Sequence, residues 1–176
     1  TITQQVIKQV VLKDSSRNIK RKATEAVMAV RFESQMTERY GEKGAKEKIL
    51  EIYLNHVYLG DGNYGVEAAA IGYLGKHAKD VTKAEAAMLA GLPKAPAHDS
   101  PNFHYSRAKA RQRYVLDRQV DLGYLSAVER EMSWNESIVT IRRTHSSHVA
   151  KAPYACEELR RFAEPTFGNQ AVYKQG

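Results

Sequence analysis

From residue 2 to about residue 132 the apolar residues recur at steps of three and four, broken only by glycines and cap-forming residues. That is the α-helical period, and a chain repeating it does not settle as a sheet. In the first segment Ile2, Val6, Ile7, Val10 and Val11 share one side, with Gln4, Gln5, Lys8 and Gln9 on the other. "KDSSRN" interrupts it with residues that favour caps. A second helix is predicted over 19–40, burying Ala23, Ala26, Val27 and Val30. Gly41 and Gly44 divide it from a third over about 45–58, which carries Ile49, Tyr53 and Val57.

Beyond these, "LGDGNYG" reads as a loop and "VEAAAIGYL" as a helix of small residues suited to close packing. Thr82 with Glu85 forms a capping box that opens a helix ended by Gly91 and Pro93. "KAPAHDSPN" is irregular, and a basic helix over 106–122 stops at Gly123. Ser126 with Glu129 repeats the capping-box pattern, and only "SIVTIRR" (137–143) alternates as a strand does. The expected class is therefore mostly α, with a minor β element near the C-terminus. At 176 residues the chain is one domain, or one domain and a short tail. The single cysteine, Cys156, excludes an internal disulfide and a multi-cysteine metal site. No run approaches the roughly 18 apolar residues of a membrane span, and nothing resembles a signal peptide.

The net charge of +7 favours an anionic partner: nucleic acid, acidic lipid or a phosphorylated small molecule. Much of the excess is local, since residues 1–31 carry seven Lys or Arg against Asp14 and Glu25. Ordinary surface helices pair Glu with Lys; adjacent glutamines beside a lone lysine suit donation to something anionic. Lys8, Arg17, Arg21 and Lys22 lie on two successive helices and the turn between them, so they and Gln5 can converge at one end. A solvated basic face is the alternative, against which the lack of compensating acids counts.

Glu25 is the only charge between Lys22 and Arg31. On the stripe Arg21, Glu25, Met28, Phe32 its carboxylate lies between cations that lower its pKa and apolar neighbours that raise it. Such tension belongs to functional sites, and equally to a helix ion pair worth about 0.3–0.5 kcal/mol. Glu51, Tyr53 and Asn55 in "KILEIYLN" sit in an apolar helix and read as buried polar groups that hold neighbouring backbone in place. His145 and His148 lack further metal-ligand partners, and His56, His77, His98 and His104 are scattered. There is no phosphate-binding glycine loop, nucleophile elbow or zinc spacing.

"TITQQVIKQ", "RKATE", "KEKILEIYLNHVYLGDGNYGVEAAAIGYLGK", "AEAAMLAGLPKAP" and "RAKARQRYVL", in this order, resemble the motifs of the peptidoglycan glycosyltransferase domain. This is glycosyltransferase family 51, found in class A penicillin-binding proteins and monofunctional transglycosylases. The resemblance covers residues 1–132, taken as the glycosyltransferase domain. Residues 133–176 resemble the segment leading towards a linker or transpeptidase domain. It implies a lysozyme-like helical fold on the extracytoplasmic, periplasmic side of the bacterial cytoplasmic membrane, with any anchor outside this span. It also implies an inverting polymerisation of lipid II into β-1,4-linked glycan strands, with undecaprenyl diphosphate leaving.

By resemblance Glu25 is the catalytic position, and Thr3, Gln4, Gln5, Lys8, Arg17, Arg21 and Lys22 are substrate-binding. Lys48, Glu51, Tyr53, Asn55 and Arg111 match positions that support the motifs. The implied partners are lipid II, the growing glycan strand, the membrane surface and inhibitors of the moenomycin type. No tightly bound cofactor is implied; Mg²⁺ or Mn²⁺ is a candidate companion of the substrate diphosphate.

Departures from the family pattern are Gln9 for an Asn, Gln112 for a second Arg after Arg111, and "AHDSP" for an aromatic-bearing loop. The family's first motif, Glu-Asp-x-x-Phe-x-x-His-x-Gly, is not found in residues 1–176. It holds the glutamate thought to deprotonate the acceptor hydroxyl. These residues are therefore expected to bind substrate without efficient turnover, and to expose apolar surface around Val6, Val10 and Val11. Two other classes remain to be weighed: a basic helical nucleic-acid-binding module, which lacks a recognised motif, and a lysozyme-like hydrolase, which needs a second carboxylate.

Overall fold

The structure, a computed structural model, describes the backbone of residues 1–12 and 19–141, and within these the side chains of 1–9 and 22–141. Two compact units are distinguished, one ending at Val57 and the next beginning at Tyr58.

The first unit opens with α1 (Ile2–Val6), which continues as wider π-helical turns over Ile7–Leu12. Thr1 caps it reciprocally: the Gln4 amide donates to Thr1 Oγ1 (3.2 Å) and the Thr1 nitrogen donates to Gln4 Oε1 (2.9 Å). Thr3, Val6 and Ile7 recur at steps of three and four and are all buried, which leaves Gln5, Lys8 and Gln9 exposed. The expected apolar exposure does not hold at Val6, which is 1% exposed. Val10 and Val11 have side chains outside those described.

α2 (Ile19–His56) is two helical stretches joined at Gly41, where φ 71° and ψ 170° leave the helical region. The expected division thus falls at Gly41 alone; Gly44 lies within the second stretch. Met28, Ala29, Phe32 and Met36 from the first stretch and Ala45, Ile49 and Ile52 from the second enclose Val6 and Ile7 in one core.

The face predicted to be buried is a different one. Val27 and Val30 are 52% and 67% exposed, and Ala23 is exposed too. Both faces of this helix carry apolar residues, and periodicity cannot choose between them. Packing chooses the face with Met28 and Phe32, because large side chains remove more apolar area from water than Ala and Val do. The buried stripe is therefore the one that contains Glu25.

In the second unit a β-bridge between Tyr58 and Tyr64 closes the glycine loop. α3 (Val66–Ala69) runs on as π-helical turns over Ala70–Leu74. α4 (Lys83–Gly91), α5 (Tyr105–Asp121) and α6 (Ala127–Asn135) follow. Both expected capping boxes form, at Thr82 with Glu85 and at Ser126 with Glu129. Ala87 of α4, Leu116 of α5 and Leu125 form a buried cluster flanked by Trp134. Burial pushes the Glu85 carboxyl up, but the Lys76 ammonium (2.9 Å) and the Thr82 amide (2.8 Å) more than reverse this, holding it below the usual carboxylate range.

The β element expected over 137–143 does not form in its described part, 137–141. The alternation there is real as burial, since Ile138 is buried while Val139 is 74% exposed. What is missing is a ladder: Ile141 N donates to Tyr73 O (2.8 Å), and Ile138 O accepts from the Tyr105 hydroxyl (3.1 Å). Among the described residues no helix is long and apolar enough to cross a membrane.

Candidate active site

The first unit gathers nearly every candidate residue. α1 carries Gln5 and Lys8 on its solvent side because its other side is committed to the core through Thr3, Val6 and Ile7. Gln4 spends its carbonyl oxygen on the capping box. α2 begins at Ile19, so Lys22 and Glu25 occupy its first two turns. Lys22 is exposed, whereas Glu25 is half-buried with its Oε1 atom shut off from solvent. One turn further on, Met28 and Ala29 share the core with Val6 and Ile7. Ile7, which precedes Lys8, and Met28, three residues after Glu25, thus belong to the same apolar core. Arg17 and the side chain of Arg21 lie outside the described residues, as do His145, His148 and Cys156.

Thr3 is not turned to solvent. It is 4% exposed, and its Oγ1 donates to Glu33 Oε1 on α2. Sequence reasoning missed Glu33, which looks like an ordinary surface acid eight residues after Glu25. The available signal was the position of Thr3 itself, three and four residues before Val6 and Ile7 and hence on the inward side.

The residues expected to support the motifs make local contacts within α2. Lys48 Nζ donates to Glu51 Oε2 (3.1 Å), and Asn55 Nδ2 donates to the Glu51 carbonyl (2.9 Å). Glu51 is exposed, so its role is on the helix surface and not in the interior. Tyr53 packs against the core, and burial pushes its phenol up.

Arg111 belongs to the second unit. Its Nε donates to the Gly91 carbonyl at the end of α4 (3.3 Å), and its guanidinium lies 4.8 Å from the Tyr114 ring centroid. A cation at a helix C-terminus meets unsatisfied carbonyls there. Gln112, which departs from the family pattern, is fully buried and donates to the Ala84 carbonyl (2.9 Å). A neutral amide suits that interior place, where a guanidinium would have to be desolvated.

What the first unit presents, then, is an amide- and ammonium-bearing helix packed through Val6 and Ile7 on the helix that carries a half-buried glutamate. The chain belongs to the transglycosylase family, whose profile, described as Transglycosylase, matches residues 1–120. Penicillin-binding protein 1A of Vibrio cholerae is 36% identical over all of this chain and 20% of that protein. The Haemophilus influenzae counterpart is 39% identical over the same shares. That of Aquifex aeolicus is 43% identical over 78% of this chain and 18% of its own length.

A crystal structure of penicillin-binding protein 1A from Haemophilus influenzae superposes with a TM-score of 0.54 and 30% identity, covering 98% of this chain and 20% of that one. The chain spans about a fifth of the length of these relatives. The mostly helical fold implied by the resemblance is present, and nothing in these matches supports the nucleic-acid-binding alternative.

Proposed function

We propose that this chain is a peptidoglycan glycosyltransferase domain that joins lipid II units through β-1,4 bonds and releases undecaprenyl diphosphate. The observation that carries the reading is the pairing of α1, with Gln5 and Lys8 exposed, to a helix that opens with Lys22 and Glu25. In the reaction the acceptor 4-hydroxyl oxygen attacks the donor C1 with inversion, and the C1–oxygen bond to the diphosphate breaks. Negative charge grows on the departing diphosphate, where preorganised donors lower the barrier most. Lys8 and Lys22 supply ammonium groups and Gln5 an amide; Arg17 and Arg21 join them by resemblance. Glu25 keeps these cations aligned beside the leaving group. The acceptor proton goes to a general base that the family pattern places in its first motif.

Among the described residues no three His, Cys, Asp or Glu gather closely enough to hold a metal ion. Mg²⁺ or Mn²⁺ is proposed as a companion of the substrate diphosphate, as Mg²⁺ commonly is. The same diphosphate chemistry makes inhibitors of the moenomycin type ligands of this site. The working location is the periplasmic surface of the cytoplasmic membrane, with residues 133–176 leading towards a linker or transpeptidase domain.

The test is lipid II binding, and polymerisation of labelled lipid II, by a protein in which the family's first motif accompanies these residues, together with its Lys8→Ala and Lys22→Ala variants. Each charge-assisted contact is worth about 1.5–3 kcal/mol, so either variant should weaken lipid II binding about tenfold or more. Absence of polymer from the folded wild type, or tight, salt-resistant DNA binding, overturns the reading.

A further inference from the structure

α1 has five residues and its π-helical continuation six, still fewer than the about 12–15 that an isolated helix needs to be even marginally stable in water. Its orientation therefore comes from what holds it to α2. Val6 and Ile7 bury apolar surface, which is a non-directional force and tolerates rotation or sliding. The capping box at Thr1 is internal to the helix. The bond from Thr3 Oγ1 to the Glu33 carboxylate differs from both, because it is directional and reaches α2. At about 100° per residue of α-helix, Gln5 lies about 200° round from Thr3, and Lys8 follows in the π-helical turns. Fixing Thr3 against α2 thus turns Gln5 and Lys8 outward, where both are exposed.

We propose that Glu33 is a positioning residue: by holding Thr3 it sets the rotation and register of α1, and with them the aim of Gln5 and Lys8 at the substrate diphosphate. Glu33 touches no reacting atom in this account; it acts through Thr3. The inference rests on the proposed function, because the thing positioned is the diphosphate cradle.

The experiment measures lipid II polymerisation, with kcat and KM separated, by the intact protein and by Glu33→Ala, Thr3→Val, the double variant, Glu33→Gln and Thr3→Ser. Far-UV circular dichroism establishes that each is folded. A small misplacement of groups that stabilise a transition state can lower rate about 100-fold. Glu33→Ala and Thr3→Val should each lower kcat about 10- to 100-fold by that mechanism, with KM moving less. The double variant should be no worse than either single one, because both remove the same bond. Glu33→Gln keeps an acceptor and Thr3→Ser keeps the donor, so both should retain most activity even if the harsher variants fold poorly.

Losses that add in the double variant, a harmless Thr3→Val, or a Glu33→Gln as damaging as Glu33→Ala would each overturn the proposal. With an active wild type, such results refute Glu33 alone. An inactive, folded wild type refutes the transferase reading, and this inference falls with it.

Discussion

Gly60→Ala should cost this protein more stability than its size suggests. Gly60 has φ 92°, a region where an L-residue is strained, at a cost of about 1–2 kcal/mol. The added Cβ would also sit 2.5 Å from the Pro96 carbonyl oxygen and 2.8 Å from the Tyr73 hydroxyl. Tyr73 is fully buried and donates to the Leu59 carbonyl (2.9 Å), so displacing it leaves polar groups unpaired in the interior. Strain, overpacking and the disturbed bond overlap, and together come to about 3–5 kcal/mol. Gly62→Ala is the control: φ is 75°, but nothing lies within 4 Å of its Cβ, so only strain of about 1–2 kcal/mol applies. Urea titration followed by fluorescence of the single tryptophan, Trp134, reports on this unit. If Gly60→Ala loses no more than Gly62→Ala, the close approach of loop, Pro96 and Tyr73 is wrong.

Phe32→Ala should destabilise the first unit by about 3–5 kcal/mol, while Val30→Ala should stay within about 0.5 kcal/mol; denaturant titration of both checks which face of α2 is buried. The Lys83 ammonium, then the Ser126 amide and hydroxyl, hold the Glu129 carboxyl at about 2, down from 4.5. That depressed value adds stability above pH 4.5 and loses it as pH falls through 2, so Glu129→Gln should flatten the fall in Tm across this window.

Helix boundaries were legible wherever local chemistry sets them. The capping boxes at Thr82 and Ser126, the break at Gly41 and the stop at Gly123 each depend on a few adjacent residues, and each is where the sequence places it. Which face of α2 turns inward was not legible, because Ala23, Val27 and Val30 make as good a stripe as Met28, Phe32 and Met36 until a partner selects one. The strand at 137–143 failed for a related reason: alternation records burial on two sides, but a strand also needs a neighbour with free backbone groups. Gln5 and Lys8 were legible as an exposed side through their position opposite apolar residues, and Lys22 as one of a basic group without compensating acids. Thr3 and Glu33 did not, since 30 residues of chain separate a bond that only the docking of α1 creates.

The central claim is that Glu25 works with the cations around a departing diphosphate and is more than a helix ion pair. Its most direct test is the rate of labelled lipid II polymerisation by the intact protein carrying Glu25→Gln, with thermal unfolding measured on the same sample. The substitution keeps the shape of a half-buried side chain and removes its charge. Misaligning the cations that Glu25 holds beside the leaving group can lower kcat about 100-fold, and a fall of that order is expected here. The amide keeps the side chain's shape and hydrogen-bonding groups, so the stability change should stay near that of one hydrogen bond, about 0.5–1.5 kcal/mol. Polymerisation within about threefold of the wild type, a barrier change of only about 0.7 kcal/mol, would contradict the claim and leave Glu25 as a structural partner of its helix neighbours.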